Sequence, residues 1–177
     1  MILLGVDPGS LRTGWGAIQS DGQRHALIDA GVLAPGPRLA LPEKLRFLHD
    51  GLAAVIARLR PEALAVEDVF HAANTRSALV LGHVRGALLL AGARAGLPVY
   101  AFPPATVKAQ VVGFGRAEKR QVAVMVSRLL ALDHDQSPGD ATDALAVALC
   151  LACQRPASPL AALLAEAAAS RRTRRRA

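Results

Sequence analysis

The sequence predicts an α/β fold with a mixed five-stranded sheet and helices on both faces. Three short strand patterns follow one another near the start of the chain, which indicates antiparallel strands. The remainder alternates helical and strand patterns, which is typical of parallel strands joined by crossover helices. A length of 177 residues with 52% hydrophobic residues suits one domain with a single full-sized core.

The opening strands are expected to form an antiparallel meander. Residues 2–6 are an apolar run ended by Asp7-Pro8-Gly9, which is typical of a buried strand followed by a turn. Residues 13–19 and 25–34 also have strand patterns. The link between them contains Asp21-Gly22, and this glycine provides the positive φ of a tight hairpin.

From Leu41 onward, apolar residues recur at the three- and four-residue spacing of amphipathic helices. The predicted elements are helix 41–59, strand 63–67, helix 75–95, strand 97–102, helix 103–112, helix 117–130 and a closing helix from Asp140. The helix 75–95 lies between two strands, so this β-α-β unit requires parallel strands. Gly82 and Gly86 within it predict close packing against either the sheet or a second subunit, because glycine weakens a helix interior.

The positive charge is concentrated at the end of the chain. Residues 171–176 contain five arginines, and removing them from the net charge of +7 leaves +2 for residues 1–170. We therefore predict a domain over 1–155 and an Ala-rich and Arg-rich tail over 156–177 that is partly disordered. The tail favours polyanion binding, with a solubilising terminus as the alternative.

Two further patterns limit the class of protein. No uncharged apolar stretch reaches the ~18 residues that span a bilayer, and the start lacks a basic signal-peptide region, so we expect a cytoplasmic protein. Cys150 and Cys153 have C-x-x-C spacing, but they lie in an apolar helical run without a second pair. We therefore expect both to be buried in the core rather than to form a redox or zinc site.

Four carboxylates follow or begin predicted elements. Asp7 ends the first strand and Glu67 ends the fourth, so parallel pairing of these strands would place both acids at one edge of the sheet. Asp140 and Asp143 are three residues apart at the start of the last helix and share a face. Each acid also has a structural alternative, as a turn, strand-end or helix-capping residue.

Convergence of these acids points to metal. Close carboxylates repel each other unless cations neutralise them. Oxygen ligands without cysteine or histidine pairs favour Mg²⁺ or Mn²⁺, and two such ions ~4 Å apart support in-line phosphodiester hydrolysis. The sequence therefore predicts two Mg²⁺ ions per active site, with Mn²⁺ as a substitute.

The chain resembles the RuvC family of bacterial Holliday junction resolvases. The matching motifs run in order over residues 1–155: Asp7-Pro8-Gly9-Ser10 with Thr13-Gly14, Val66-Glu67-Asp68-Val69-Phe70 with Asn74 and Ser77-Ala78-Leu79, Val111-Val112-Gly113 with Ala117-Glu118-Lys119, and Asp140-Ala141-Thr142-Asp143. The resemblance implies a ribonuclease H-like fold. It also implies a homodimer that cuts two opposed strands of a four-way DNA junction in recombination and repair, with RuvA and RuvB as partners.

The same resemblance implies roles for individual residues. The metal-binding and catalytic acids would be Asp7, Glu67, Asp140 and Asp143. Lys108 and Lys119 match basic residues near the scissile phosphate, with Lys119 also catalytic. Phe70 matches an aromatic residue that contacts junction DNA. The polar residues Asn74 and Arg76 nearby indicate an exposed segment and are further DNA-binding candidates.

Other functions remain open from the sequence. A surface lysine and a core phenylalanine are the structural alternatives for Lys119 and Phe70. Another ribonuclease H-like nuclease would cut hybrids or flaps, and a non-catalytic protein would bind junctions or DNA through phosphate contacts. Actin-like ATPases and sugar kinases share the opening pattern, but they need two lobes and an internal repeat. His134 lies near Asp140 and has no assigned role.

Overall fold

The computed structural model describes residues 1–68, 74–132 and 141–154. Within them the sheet consists of β1 (Ile2–Asp7), β2 (Thr13–Ser20), β3 (His25–Leu33), β4 (Ala63–Glu67) and β5 (Val99–Phe102). Its strand order is β3-β2-β1-β4-β5. The first three strands pair antiparallel, whereas β4 pairs parallel with both β1 and β5. The predicted mixed sheet is confirmed.

Helices cover both faces of this sheet. They are α1 (Leu41–Leu59), α2 (Thr75–Arg94), α3 (Pro104–Val112), α4 (Lys119–Leu129) and α5 (Thr142–Gln154). Alternate residues of β1 point to opposite faces, so Leu3 packs with α3, α4 and α5 while Leu4 packs with α1 and α2. The two hydrophobic layers therefore lie on either side of the sheet, as predicted.

The central helix α5 lies directly against β1 and β2. Its residues from Ala144 to Ala152 are all buried. A Cβ on Gly5 would stand 2.1 Å from the carbonyl oxygen of Ala144, and one on Gly16 would stand 2.5 Å from Cδ2 of Leu145. These two glycines therefore permit the helix to approach the sheet more closely than any side chain would allow.

The hairpin between β2 and β3 forms as predicted. Gly22 has a φ of 96°, which is the left-handed conformation that glycine adopts readily. Asp21 Oδ1 accepts hydrogen bonds from the backbone N–H groups of Gln23 and Arg24. These bonds hold the turn and lower the pKa of Asp21 to about 2.

Several predicted boundaries shift for local reasons. The strand expected from residue 97 starts at Val99, because the N–H of Leu97 donates instead to the carbonyl of Gly92 and closes the end of α2. The helix expected from residue 117 starts at Lys119, because Glu118 and Gln121 form a capping box. The predicted start of the last helix at Asp140 lies outside the described residues, as does the tail over 156–177.

The two cysteines differ in solvent exposure. Cys150 is fully buried in the core, as predicted, whereas Cys153 is exposed. Expecting both to be buried was wrong for Cys153, because the C-terminal end of α5, Cys153 and Gln154, is exposed. In the described part of the chain, no helix is long and apolar enough to cross a membrane.

The two glycines in α2 face open space. A Cβ on Gly82 or Gly86 would meet no atom of the described residues within 4 Å. Packing against the sheet, one of the two predicted reasons for these glycines, is therefore excluded. Leu79 and Leu90 are also exposed on this helix, at 61% and 52%. Together with Gly82 and Gly86 they form an α2 stripe, since residues 79, 82, 86 and 90 are spaced by three or four.

Candidate active site

The ends of β1 and β4 bring two carboxyl groups together. These strands are parallel neighbours, with Val6 paired to Val66, so Asp7 and Glu67 leave the sheet side by side. Their carboxyl groups hydrogen-bond to each other. The predicted convergence of these two acids at one sheet edge is therefore present in the structure.

The start of α5 brings a third carboxylate to the same edge. Asp143 lies in the first turn of this helix, and the next residue, Ala144, packs against Gly5 near the end of β1. Its negative charge acts on both Asp7 and Glu67. The close approach of α5 to the sheet is thus what brings Asp143 to the paired acids.

Burial and mutual repulsion make the acids hard to ionise together. Burial, followed by the charge of Asp143, raises the pKa of Asp7 above its usual 3.8. Burial, the charge of Asp7 and the hydrogen bond to Asp7 raise the pKa of Glu67 from 4.5 to about 8. Both shifts favour the protonated form of the pair while no cation is bound.

Two lysines complete this cleft. Lys119 Nζ lies 2.6 Å from Oδ2 of Asp143, and the positive charge of Lys108 acts on Glu67. A cleft of about 210 Å³ is lined by Glu67, Pro104, Val107, Lys108, Lys119, Val122, Asp143 and Ala146. Both predicted lysines thus stand beside the predicted acids, and Lys119 is a largely exposed lysine that pairs with Asp143.

The donor set fits hard divalent cations. Asp7, Glu67 and Asp143 offer oxygen atoms only, and their mutual repulsion would be relieved by positive charge. Over residues 1–68, 74–132 and 141–154, no three His, Cys, Asp or Glu side chains form a ready metal-binding group. The fourth predicted ligand, Asp140, lies outside those ranges, and Lys119 pairs with Asp143. The described acids therefore match a metal site in chemistry and charge, and are part of its predicted ligand set.

The turn after β1 is closed by a buried threonine. Thr13 is fully buried, and its hydroxyl both donates to the carbonyl of Gly9 and accepts from the N–H of Gly9. The turn that follows Asp7 is therefore anchored to the start of β2. Thr13 appeared in the opening motif but was not predicted as a site residue.

A partly buried ion pair supports the end of β4. Arg85 of α2 places Nη2 3.2 Å from Oδ1 of Asp68, the residue that follows Glu67. The N–H of Asp68 also donates to the carbonyl of Phe102 on β5. Sequence reasoning missed Arg85, although a lone cation between the apolar Val84 and Leu88 is a signal that could have identified it.

Two of the predicted DNA-binding residues, Asn74 and Arg76, lie at the start of α2. Asn74 caps α2, since its Oδ1 accepts a hydrogen bond from the N–H of Ser77 at 2.9 Å. Arg76 is exposed in the first turn of that helix. Among the described residues, the cleft lining includes neither. Phe70, Asp140 and His134 lie outside the described residues.

Comparison with known proteins identifies the family of this chain. The family model for crossover junction endodeoxyribonuclease RuvC matches residues 3–151. A RuvC from Pelotomaculum thermopropionicum is 46% identical over 150 residues, which cover 85% of this chain and 92% of the relative.

Solved structures show the same fold. Thermus thermophilus RuvC in complex with a Holliday junction substrate has a TM-score of 0.79 and 36% identity, covering 85% of this chain and 92% of that chain. The yeast mitochondrial Holliday junction resolvase Ydc2 has a TM-score of 0.62 at 13% identity, covering 85% and 77%, and supports the fold alone. With its family model spanning residues 3–151 and its acids gathered at one sheet edge, this chain belongs to the RuvC family of crossover junction endodeoxyribonucleases.

Proposed function

We propose that this protein resolves four-way Holliday junctions by paired, symmetric hydrolysis of phosphodiester bonds during recombination and repair. The observation that carries the proposal is that, in a RuvC-family chain, Glu67, Asp143, Lys108 and Lys119 line one cleft and Asp7 hydrogen-bonds to Glu67. Thermus thermophilus RuvC has been solved with a Holliday junction substrate. Nucleases of this family are metal-dependent.

The acids would hold the cations. We assign Asp7, Glu67, Asp140 and Asp143 as ligands for two Mg²⁺ ions, with Mn²⁺ as a substitute, because all four offer oxygen atoms. When bound, such ions activate water and neutralise the charge that develops on the leaving 3′ oxygen. Glu67 must release its proton for this role, since a carboxylate is the ligand form.

The lysines and the apolar wall act on the phosphate. Lys119 and Lys108 place positive charge at the cleft, where negative charge increases on the phosphate in the transition state. When DNA covers the cleft, it would displace water from Pro104, Val107 and Val122, which also line it. The attraction between each ammonium group and the phosphate would then be stronger.

DNA would lie across the surface that leads into this cleft. We propose that Phe70, Asn74 and Arg76 contact the junction, following the family motif. The N-cap formed by Asn74 supports this, because it fixes the start of α2 at the end of the segment that contains Phe70. Stacking of an aromatic ring on an unpaired base is worth ~1–3 kcal/mol.

A homodimer accounts for two symmetric cuts. One site per protomer then faces each of two equivalent strands. The α2 stripe supports this proposal, because Leu79, Gly82, Gly86 and Leu90 leave an apolar, small-residue face open on the protomer. We also propose that the protein acts in the cytoplasm and works with RuvA and RuvB, as the family resemblance implies.

The deciding experiment compares substrates and metals. Purified protein and the Asp7→Asn variant are incubated with a labelled four-way junction, a linear duplex and an RNA–DNA hybrid, in Mg²⁺, Mn²⁺ or EDTA. Paired symmetric nicks in the junction alone, absent in EDTA and with Asp7→Asn, are the expected result. Cutting of the hybrid would instead indicate another ribonuclease H-like nuclease, and binding without cutting would indicate a DNA-binding protein.

A further inference from the structure

The segment that joins α3 to α4 carries an exposed aromatic residue. Phe114 is 48% exposed. It follows α3, which contains Lys108, and precedes α4, which begins at Lys119. Both lysines line the cleft, so this segment, residues 113–118, connects two of its walls. We refer to it as the α3–α4 segment.

The backbone on both sides of Phe114 is anchored. Gly113 has a φ of 97° and its N–H donates to the carbonyl of Ala109 at 2.9 Å. A Cβ on Gly115 would stand 3.1 Å from the carbonyl oxygen of Ala105. Ala117 is 1% exposed and packs into the core. Phe114 is therefore held outward between fixed points.

Exposure of this ring has no structural benefit in the protomer. A buried phenylalanine stabilises a fold by ~1.5–3 kcal/mol, and the core cluster that includes Val111 and Ala117 lies directly beneath the segment. A single exposed apolar residue is common on protein surfaces, so exposure alone does not identify a site. The cations that follow Phe114 in the sequence provide the second observation.

Three cations follow the ring in the sequence. Arg116, Lys119 and Arg120 are exposed, and the acid among them, Glu118, is engaged in the capping box of α4. An exposed aromatic residue interleaved with lysine and arginine is the pattern that binds single-stranded or distorted nucleic acid. Because Lys119 also lines the cleft, this pattern is continuous with the site of the proposed reaction.

We propose that Phe114 and Arg116 form a DNA contact at the rim of the active-site cleft. Phe114 stacks on a base or sugar of a nucleotide next to the scissile phosphate, and Arg116 binds a neighbouring backbone phosphate. This inference rests on the proposed junction-cleaving function and adds a second aromatic contact to the one proposed for Phe70. Together they would hold the strand on both sides of the acids.

Junction binding in EDTA tests the role of Phe114 while no strand is cut. We expect Phe114→Ala to weaken affinity by about 5- to 150-fold, the equivalent of ~1–3 kcal/mol per stacked base. Phe47→Ala is the matched control, since Phe47 is 44% exposed on α1, on the other face of the sheet. A loss with Phe114→Ala no larger than the control would overturn the proposal.

Two further variants separate stacking from packing. A junction carrying 2-aminopurine beside the cut reports stacking through its change in fluorescence on binding. Phe114→Tyr should keep this change, and Phe114→Leu should lose it while melting at the wild-type temperature. If Phe114→Leu showed the wild-type affinity and the wild-type fluorescence change, an apolar side chain of similar size would suffice and stacking would be contradicted.

Salt dependence tests the role of Arg116. Arg116→Gln should lower the slope of log affinity against log salt by about one, because one phosphate contact is lost. Arg94→Gln is the control, since Arg94 is exposed in the last turn of α2. Equal slopes for Arg116→Gln and wild type would overturn the contact.

Different results would contradict the rim contact and the proposed junction cleavage. If the wild-type protein nicks junctions while Phe114→Ala and Arg116→Gln behave as their controls, the rim contact alone is wrong. If the wild-type protein neither binds nor nicks junctions, the proposed function is wrong and the rim contact with it.

Discussion

Lys119 Nζ lies 2.6 Å from Oδ2 of Asp143, which joins the first turns of α4 and α5 across the cleft. The lysine side chain is 79% exposed, so solvent screens the pair and its contribution to stability is small. The pair matters because Lys119 would compete with a metal ion for Asp143. A cation bound by Asp143 and the ammonium of Lys119 would share the same oxygen, and a displaced Lys119 would be available to the phosphate.

This competition predicts opposite effects of Lys119→Ala on metal binding and on catalysis. The variant should bind Mn²⁺ more tightly by calorimetry, because Asp143 loses its competing partner. Its single-turnover cleavage rate should fall by more than its junction affinity. Lys44→Ala on α1 serves as the control lysine variant. Weaker Mn²⁺ binding by Lys119→Ala would contradict the competition, and matched losses in cleavage and affinity would make Lys119 a phosphate contact only.

Asp7→Asn should stop cleavage while the fold is kept. The amide has the same size but is a poor cation ligand, so we expect a loss of at least about 10²-fold, the scale for removing one charge-stabilising group. Junction affinity should be unchanged or higher, since a negative charge is removed. Asp50→Asn, at an exposed acid of α1, is the control. A cleavage rate equal to wild type would refute the predicted role of these acids.

The raised pKa of Glu67 predicts a dependence of stability on pH. Between its unfolded pKa of 4.5 and its folded pKa of about 8, the native protein binds more protons than the unfolded chain. The free energy of unfolding should therefore fall as pH rises through this window in EDTA, and be highest below it. Thermal unfolding from pH 5 to 8 measures the effect.

Two comparisons isolate the contribution of Glu67. Glu67→Gln should flatten the pH dependence, because the group that titrates is removed. Mg²⁺ should raise the melting temperature most near pH 8, since the carboxylate form is the ligand. Parallel pH profiles for wild type and Glu67→Gln would assign the dependence to other groups.

Gly5→Ala should destabilise the fold and impair cleavage. The new Cβ would overlap the carbonyl oxygen of Ala144 and the amide nitrogen of Ala148, so α5 must move away from β1. Overpacking of this kind costs ~1–3 kcal/mol or more. Gly36→Ala is the control, because its Cβ would meet Leu39 at an ordinary 3.5 Å. Unchanged melting by Gly5→Ala would show that α5 has room to shift.

Leu90→Glu should weaken the proposed dimer. It places a charge at the C-terminal end of the α2 stripe, which a partner would cover, and an unpaired buried charge is costly. Analytical ultracentrifugation measures the monomer–dimer equilibrium. Val124→Glu on α4 is the control, since Val124 is 46% exposed on the opposite side of the sheet. A stable wild-type dimer unaffected by Leu90→Glu would place the interface elsewhere.

Local patterns in the sequence were sufficient for the elements and their order. The meander, the hairpin at Asp21-Gly22 and the leucine-periodic helix α1 all depend on residues close together in the chain. Boundaries were less accurate where a cap decides them, as at Glu118, or where a turn bond competes with a strand, as at Leu97. The exposure of Cys153 was missed because a periodic pattern does not show where a helix leaves the core.

The sequence by itself determined the α/β class, the RuvC resemblance and the identity of the candidate acids, since these rest on residue types and short spacings. Tertiary structure decided which groups meet. Glu67 and Asp7 hydrogen-bond to each other because β1 and β4 are parallel neighbours, and Asp143 joins them because Gly5 lets α5 lie against the sheet. The pairing of Arg85 with Asp68 depends in the same way on packing between distant elements. Such contacts arise from the packing of whole faces, which no local pattern specifies.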